Sequence, residues 1–179
     1  MTQGSPMRII PCDPDAHLEA IRAIMNEAIV NTTASWAHEP RTPGDMAAWF
    51  EAKAVKGHPV LIAVDDGGAP LGFATFGTFR EHSGYKYTVE HSVYVDKRFR
   101  GLGVGKALLA ELIAAAAARD FHVLIGAIDA SNPASIALHR KFGFVHCASI
   151  REAGFKFGRW LDVEFYQLII GTPLSPAVG

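Results

Sequence analysis

Two stretches of this chain carry residue types that could do chemistry together. In the first, Tyr87 to Ala117, a carboxylate, Glu90, stands inside a strand-like run. Arg100, Gly101, Gly103 and Gly105 then spell R-G-x-G-x-G at the mouth of an alanine-rich helix that opens with Val104 and Lys106. In the second, Asn132 to Phe144 reads NPASIALHRKFGF, with Asn132 and Ser135 at the head of a short helix and His139 one turn beyond. The strand neighbours of Glu90 are apolar (Val89, Val93, Val95), and burial lifts a carboxyl pKa toward the range where it can take a proton at neutral pH. A strand that feeds a helix through glycines leaves the first N–H groups of the helix without partners. Those donors and the positive end of the helix dipole together favour an anion, and glycine admits both positive φ and close approach of a ligand.

Spacing separates the anions that could use such a loop. A dinucleotide fingerprint needs G-x-G-x-x-G, whereas Gly101, Gly103 and Gly105 give G-x-G-x-G. A nucleoside-triphosphate loop ends in Lys followed by Ser or Thr, but Lys106 is followed by Ala107. What remains is a pyrophosphate cradle of another kind, with Lys97, Arg98 and Lys106 adding positive charge around it.

Elements must position these groups, and their signals run in order along the chain. Arg8 to Pro11 reads as a strand. Asp13 and Pro14 open a helix that ends near Asn31, its stripe of Leu18, Ile21, Met25 and Ile29 facing a core. A loop without period, Thr32 to Arg41, holds Trp36, read either as a plug packed under the loop or as an aromatic wall for a substrate. Thr42 and Pro43 start a second helix reaching about Val55, anchored by Trp49 and Phe50. Val60–Val64 and Leu71–Phe79 form a hairpin, and a polar loop leads to the strand Tyr87–Val95, followed by a helix from Gly103 to about Arg119. Val123–Asp129 is a strand, Pro133 to Phe142 a short helix capped by Asn132 and stopped by Gly143. Val145–Ile150 and Trp160–Ile170 are strands joined by a loop, Arg151 to Arg159, with two glycines. The expected architecture is α/β (mixed α+β): a mixed, mostly antiparallel sheet of about seven strands with flanking helices. Residues 7–170 are expected to form a single domain, with residues 1–6 and 171–179 as flexible termini.

Composition narrows the function classes. At 179 residues, 49% hydrophobic and 20% charged, the chain fits one globular domain. A formal net charge of −1 supplies no excess of Lys and Arg to displace counterions, so no nucleic acid partner is expected. No apolar run reaches the length of a membrane span and no signal peptide is apparent, so neither a membrane partner nor export is expected. The two cysteines, Cys12 and Cys147, read as free buried thiols of a reducing, cytoplasmic compartment, and the scattered histidines imply no metal.

Taken together, R-x-x-G-x-G after a strand and the N-P-x-S-x-x-L-H-x-K-x-G-F segment resemble the GNAT N-acetyltransferase superfamily, over nearly the whole chain from Met7 to Ile170. VNTTASWAHEP, GYKYTVEHSVYV, ASIALH and AGFKFGRWLDVEFYQ narrow the resemblance to its phosphinothricin and methionine sulfoximine N-acetyltransferases. The resemblance implies the GNAT fold, in which the parallel fourth and fifth strands splay apart. It implies acetyl-CoA as co-substrate, its pantetheine arm pairing with the backbone at Val93 and Val95 and touching Asn132 and Ser135, and its pyrophosphate held by Arg100, Gly101, Gly103, Val104, Gly105 and Lys106. It also implies a homodimer.

The same resemblance implies acetylation of the α-amine of a small amino acid by direct attack in a ternary complex. Glu90 would be the general base, and His139, where most of the superfamily has a tyrosine, would donate to the departing sulfur or orient the substrate. An amine of pKa near 8 is mostly protonated at neutral pH, so a base is needed, and an unpaired N–H near Val93 could hold developing charge on oxygen. Trp36, Arg80, Tyr85, Phe155, Lys156 and Val163 fall where that family's substrate pocket would lie. Arg80 is read as a carboxylate clamp or a solvated arginine, Glu90 alternatively as the partner of Arg80 or Lys86 in an ion pair, and His139 alternatively as a satisfied helix histidine. Acetylation of another amine, such as a polyamine or peptide N-terminus, and a non-catalytic acyl-CoA sensor are the competing functions.

Overall fold

In the computed structural model, residues 7–177 are described; the expected lead Met1–Pro6 and the last two residues lie outside them. The order is β1 (Arg8–Pro11), α1 (Pro14–Asn31), α2 (Pro43–Val55), β2 (Val60–Val64), β3 (Pro70–Thr78), β4 (Thr88–Val95), α3 (Val104–Ala117), β5 (Val123–Asp129), α4 (Pro133–Lys141), β6 (Val145–Lys156) and β7 (Arg159–Ile169). Helix starts follow the caps written in the sequence. The Asp13 side chain accepts from the Asp15 amide ahead of Pro14, and Thr42 and Asp45 close a reciprocal capping box around Pro43.

The strands form one seven-stranded sheet in the order β1-β2-β3-β4-β5-β7-β6, in which only β4 and β5 run parallel. Side-chain alternation gives the sheet two faces, each with its own core. On one, Leu108, Leu109 and Leu112 of α3 pack on Ala74, Phe76, Val89 and Leu124. On the other, Ile21 and Ile24 of α1 and Met46 and Phe50 of α2 pack on Ile62, Val64 and Phe73. Glu90, Ser92 and Tyr94 project from this second face, since their ladder partners are Gly77, Thr75 and Phe73.

Two expectations are corrected. The stretch 151–159 is not a loop: β6 continues to Lys156 and turns into β7 through Phe157 and Gly158, both at positive φ (51° and 72°). Register shifts at His146/Ala148 and Ile150/Gly154, with Glu152 at φ 52°, break the two-residue period by which a strand is recognised. Cys147 is exposed rather than buried, because it lies on edge strand β6, while Cys12 is half-buried; both are free thiols. Residues 171–177 have no regular structure but are tied back, Thr172 Oγ1 donating to Phe121 O and the Ala177 amide to the Tyr87 hydroxyl. Among the described residues no helix is long and apolar enough to cross a membrane.

Candidate active site

The site begins where the sheet opens. β4 and β5 pair only at Thr88↔Val123, Val89↔Leu124 and Glu90↔Ile125; beyond Glu90, β4 continues beside β3 to Val95 and β5 beside β7 to Asp129. Backbone direction alternates along β4. The Asp96 amide bonds Leu71 O of β3, and Tyr94 O also faces β3, where a Cβ on Gly72 would meet it at 2.6 Å. Tyr87 O, by contrast, faces β5 and accepts from the His122 and Val123 amides. Val93 and Val95 therefore turn their N–H and C=O groups into the gap, which no strand fills, together with the C=O of His91, whose N–H closes the last bridge to Ile125.

The glycine loop lies beside this exposed edge. Gly101 and Gly103 take positive φ (81° and 86°), and a Cβ on either would meet nothing within 4 Å, so the space before the loop is open. Gly103 caps α3 without a side chain, whereas Asp13, Thr42 and Asn132 each accept a bond at the head of their own helix. The first N–H groups of α3 thus keep their donors for something outside the chain. A Cβ on Gly105 would lie 3.5 Å from the Val95 and Leu138 side chains, so the loop packs beside the exposed strand edge. Val104 packs inward at 3% exposure, and Lys106 is exposed. Arg100 donates to Val95 O (3.3 Å) and pairs with Glu27 of α1 at 2.8 Å. This combination fits an extended ligand with a pyrophosphate at one end and an amide-bearing arm at the other.

At α4, Asn132 Oδ1 accepts from the Ser135 amide (3.1 Å). His139 is buried at 5% exposure, its Nδ1 lying 2.7 Å from Ser135 O and its Nε2 2.8 Å from His91 Nε2. A carbonyl only accepts, so Nδ1 carries the proton, and His139 Nε2 accepts from the Nε2–H of His91. Burial, with His139 alongside, pulls His91 down to about 3, and burial also lowers His139, so both rings are neutral. Gly126 makes room for the pair, since a Cβ there would lie 3.1 to 3.2 Å from both rings.

On the opposite face, Glu90 sits half-buried at the point where the strands part. Burial raises its pKa, and the positive charge of Arg80 partly offsets that rise. Neither Arg80 nor Lys86 forms an ion pair with it: Arg80 donates to Phe79 O and lies 4.3 Å over the Phe79 ring, and Lys86 lies over Tyr87. Tyr85, exposed, stands edge-on to Phe79 at 5.7 Å. Val163 pairs with Asp129 and faces the same side as Glu90. Trp36 lies flat against Gly154, where any Cβ would fall 2.4 Å from its ring.

Lys156 requires a correction. It is 3% exposed, and its ammonium donates to Ile29 O, Thr32 O and Ser35 O, so all three of its donors are spent inside the protein. It pins the 32–41 loop and the C-terminus of α1 to β6 and does not reach a substrate.

A cavity of about 240 Å³ lies on the Glu90 face between α1, α2 and the 32–41 loop, with Thr75, Ser92 and Tyr94 as part of its sheet wall and Arg41, Trp49 and Lys53 among its other lining residues. It is smaller than the ~300–1,000 Å³ typical of drug-sized sites and so suits a small ligand. Sequence reading missed these lining groups. Ser92 and Tyr94 share the parity of Glu90, and Lys53 follows Trp49 by four residues on α2, so both periodicities pointed to them.

Comparison with known proteins gives consistent matches. The profile of the Acetyltransferase (GNAT) family matches residues 21–144. The L-methionine sulfoximine/L-methionine sulfone acetyltransferase of Pseudomonas paraeruginosa is 47% identical over 153 residues, covering 86% of this chain and 89% of that protein. The L-amino acid N-acyltransferase MnaT of Escherichia coli is 41% identical over 165 residues, 92% of this chain and 95% of its own. Among solved structures, a GNAT superfamily phosphinothricin acetyltransferase from Sinorhizobium meliloti in complex with AcCoA superposes with a TM-score of 0.91 at 34% identity, over 96% of this chain and 93% of that one.

Proposed function

This chain belongs to the GNAT acetyltransferase family, and on that premise we propose that it transfers acetyl from acetyl-CoA to the α-amine of a small amino acid of the methionine sulfone, methionine sulfoximine or phosphinothricin type. The observation that carries the proposal is the place of Glu90: a carboxylate without an ion-pair partner, on the last residue of β4 to pair with β5.

The amides of Gly103 to Lys106, with Arg100, would hold the pyrophosphate, and the outward backbone of Val93 and Val95 would pair with the pantetheine arm near Asn132 and Ser135. Acetyl-CoA supplies the activated acyl carbon. Glu90 takes a proton from the ammonium, and the freed amine attacks the thioester carbon while the N–H of Val93 donates to the carbonyl oxygen as it gains charge. The C–S bond then breaks, the second amine proton passing to the departing CoA thiolate. Arg80 receives the substrate carboxylate beside Glu90, with Tyr85, Trp36 and Val163 as walls. His139, its nitrogens engaged by Ser135 and His91, acts by holding α4 against the strands at the gap.

Turnover read by free-thiol release with methionine sulfone, methionine sulfoximine, phosphinothricin, a polyamine and a peptide N-terminus tests the reading. Preference for either of the last two, or release by none, would overturn it. We further propose that two copies associate through the β6–β7 edge, where Val145, Ile150, Phe155 and Trp160 are 49% to 64% exposed, a reading that sedimentation would check. The free thiols and the dependence on acetyl-CoA support a cytoplasmic setting for the reaction.

A further inference from the structure

Lys53 is a partly buried ammonium that the mechanism above leaves unused. It projects from α2 across the second face of the sheet and donates to Phe76 O at 2.6 Å; its Nζ would stand 3.2 Å from a Cβ on Gly77, the ladder partner of Glu90. Among the described residues no carboxylate lies within ion-pair distance of it, and burial pulls it down to about 8, so it remains charged at neutral pH. Two of its three donors are left for the cavity that it lines.

The cavity's position fixes what such a charge would meet. Thr75 and Ser92, which line the cavity, form the next same-face pair along the β3–β4 ladder after Gly77 and Glu90, so the cavity begins one ladder pair from the base and runs under α2. Arg80 sits at the other, exposed end, close enough for its charge to act on Glu90. A substrate whose amine faces Glu90 and whose carboxylate faces Arg80 has the cavity open to its side chain on the α2 side of the walls named above. There Met25, Met46, Trp49 and Phe73 suit methylenes, and Lys53 with the Ser92 hydroxyl suits oxygens.

We propose that Lys53 is the specificity-determining residue, receiving the oxygens of a dipolar or anionic group at the end of the substrate side chain, as in a sulfone, a phosphinate or a carboxylate. The proposal rests on the amino-acid acetyltransferase reading and deepens it.

The test compares kcat/KM for methionine sulfone with that for methionine, which has the same chain without the two oxygens, in wild type, Lys53→Met and Lys53→Arg, with acetyl-CoA affinity reporting the fold of each variant. Loss of a charged hydrogen bond predicts that Lys53→Met lowers the sulfone value about 10- to 100-fold through KM and methionine much less, while Lys53→Arg keeps most of the discrimination. Should Lys53→Met fail to bind acetyl-CoA, Lys53→Gln carries the same comparison. Equal losses on both substrates, or no loss, would overturn the role of Lys53 alone. Absence of wild-type turnover with either amino acid would overturn the functional reading and this inference with it.

Discussion

The Nε2 atoms of His91 and His139 lie 2.8 Å apart in the protein interior, and the Ser135 carbonyl on the far side of His139 dictates which ring donates. Burial disfavours a second proton on either ring. Histidines held below their unfolded value of about 6.5 take up protons only on unfolding. Their contribution to stability is intact above that value and is lost as pH falls toward about 3 for His91, at up to about 1.4 kcal/mol per pH unit for each ring. Urea midpoints at pH 7.5 and pH 5 should therefore differ markedly in wild type and less in His91→Gln. Equal slopes would show that the pair does not govern acid lability.

Glu90 works only when ionised. Its raised pKa places the acid limb of kcat above the ordinary carboxylate range, with activity falling as pH drops through that value. Glu90→Gln should lower kcat about 10²- to 10⁴-fold and leave acetyl-CoA affinity nearly intact by calorimetry. Removing the offsetting charge with Arg80→Ala should move the limb to higher pH; a limb that stays put would separate the two residues.

Gly103→Asp meets no steric obstacle, since a Cβ there has no neighbour within 4 Å. The φ of 86° costs about 1 kcal/mol in a non-glycine residue, and the carboxylate would stand where a pyrophosphate should. We expect acetyl-CoA binding to fall at least 100-fold while the melting temperature drops only a few degrees. Gly103→Asn, with similar strain and no charge, should retain much more affinity.

Lys156→Met removes a buried ammonium from three carbonyls and leaves them without donors. The expected loss is about 3 kcal/mol or more in unfolding free energy, together with faster proteolysis within residues 32–41. Acetyl-CoA affinity should change little, because the glycine loop lies elsewhere.

Much of this was legible in the residues. Caps at Asp13, Thr42 and Asn132 marked three helix starts to the residue, and parity along β4 put Glu90 on the face opposite His91. Lys156 was not legible, because its three acceptors, at the end of α1 and in the loop after it, lie more than 120 positions away in sequence. The continuation of β6 from Arg151 to Lys156 was hidden for a different reason: its bulges erase the alternation on which strand recognition depends. Lys53 becomes significant only once α2 is laid across the sheet.

Three backbone pairs, Thr88 through Glu90 against Val123 through Ile125, are the whole spine between two leaves of the sheet, β1–β4 and β5–β7–β6. A thioester arm lying along Val93 and Val95 would act as a fourth stitch between leaves that the chain itself leaves unsewn. Amide deuterium exchange at those two positions should accordingly slow on acetyl-CoA addition, and the protein should unfold as a tighter single unit when loaded than when empty.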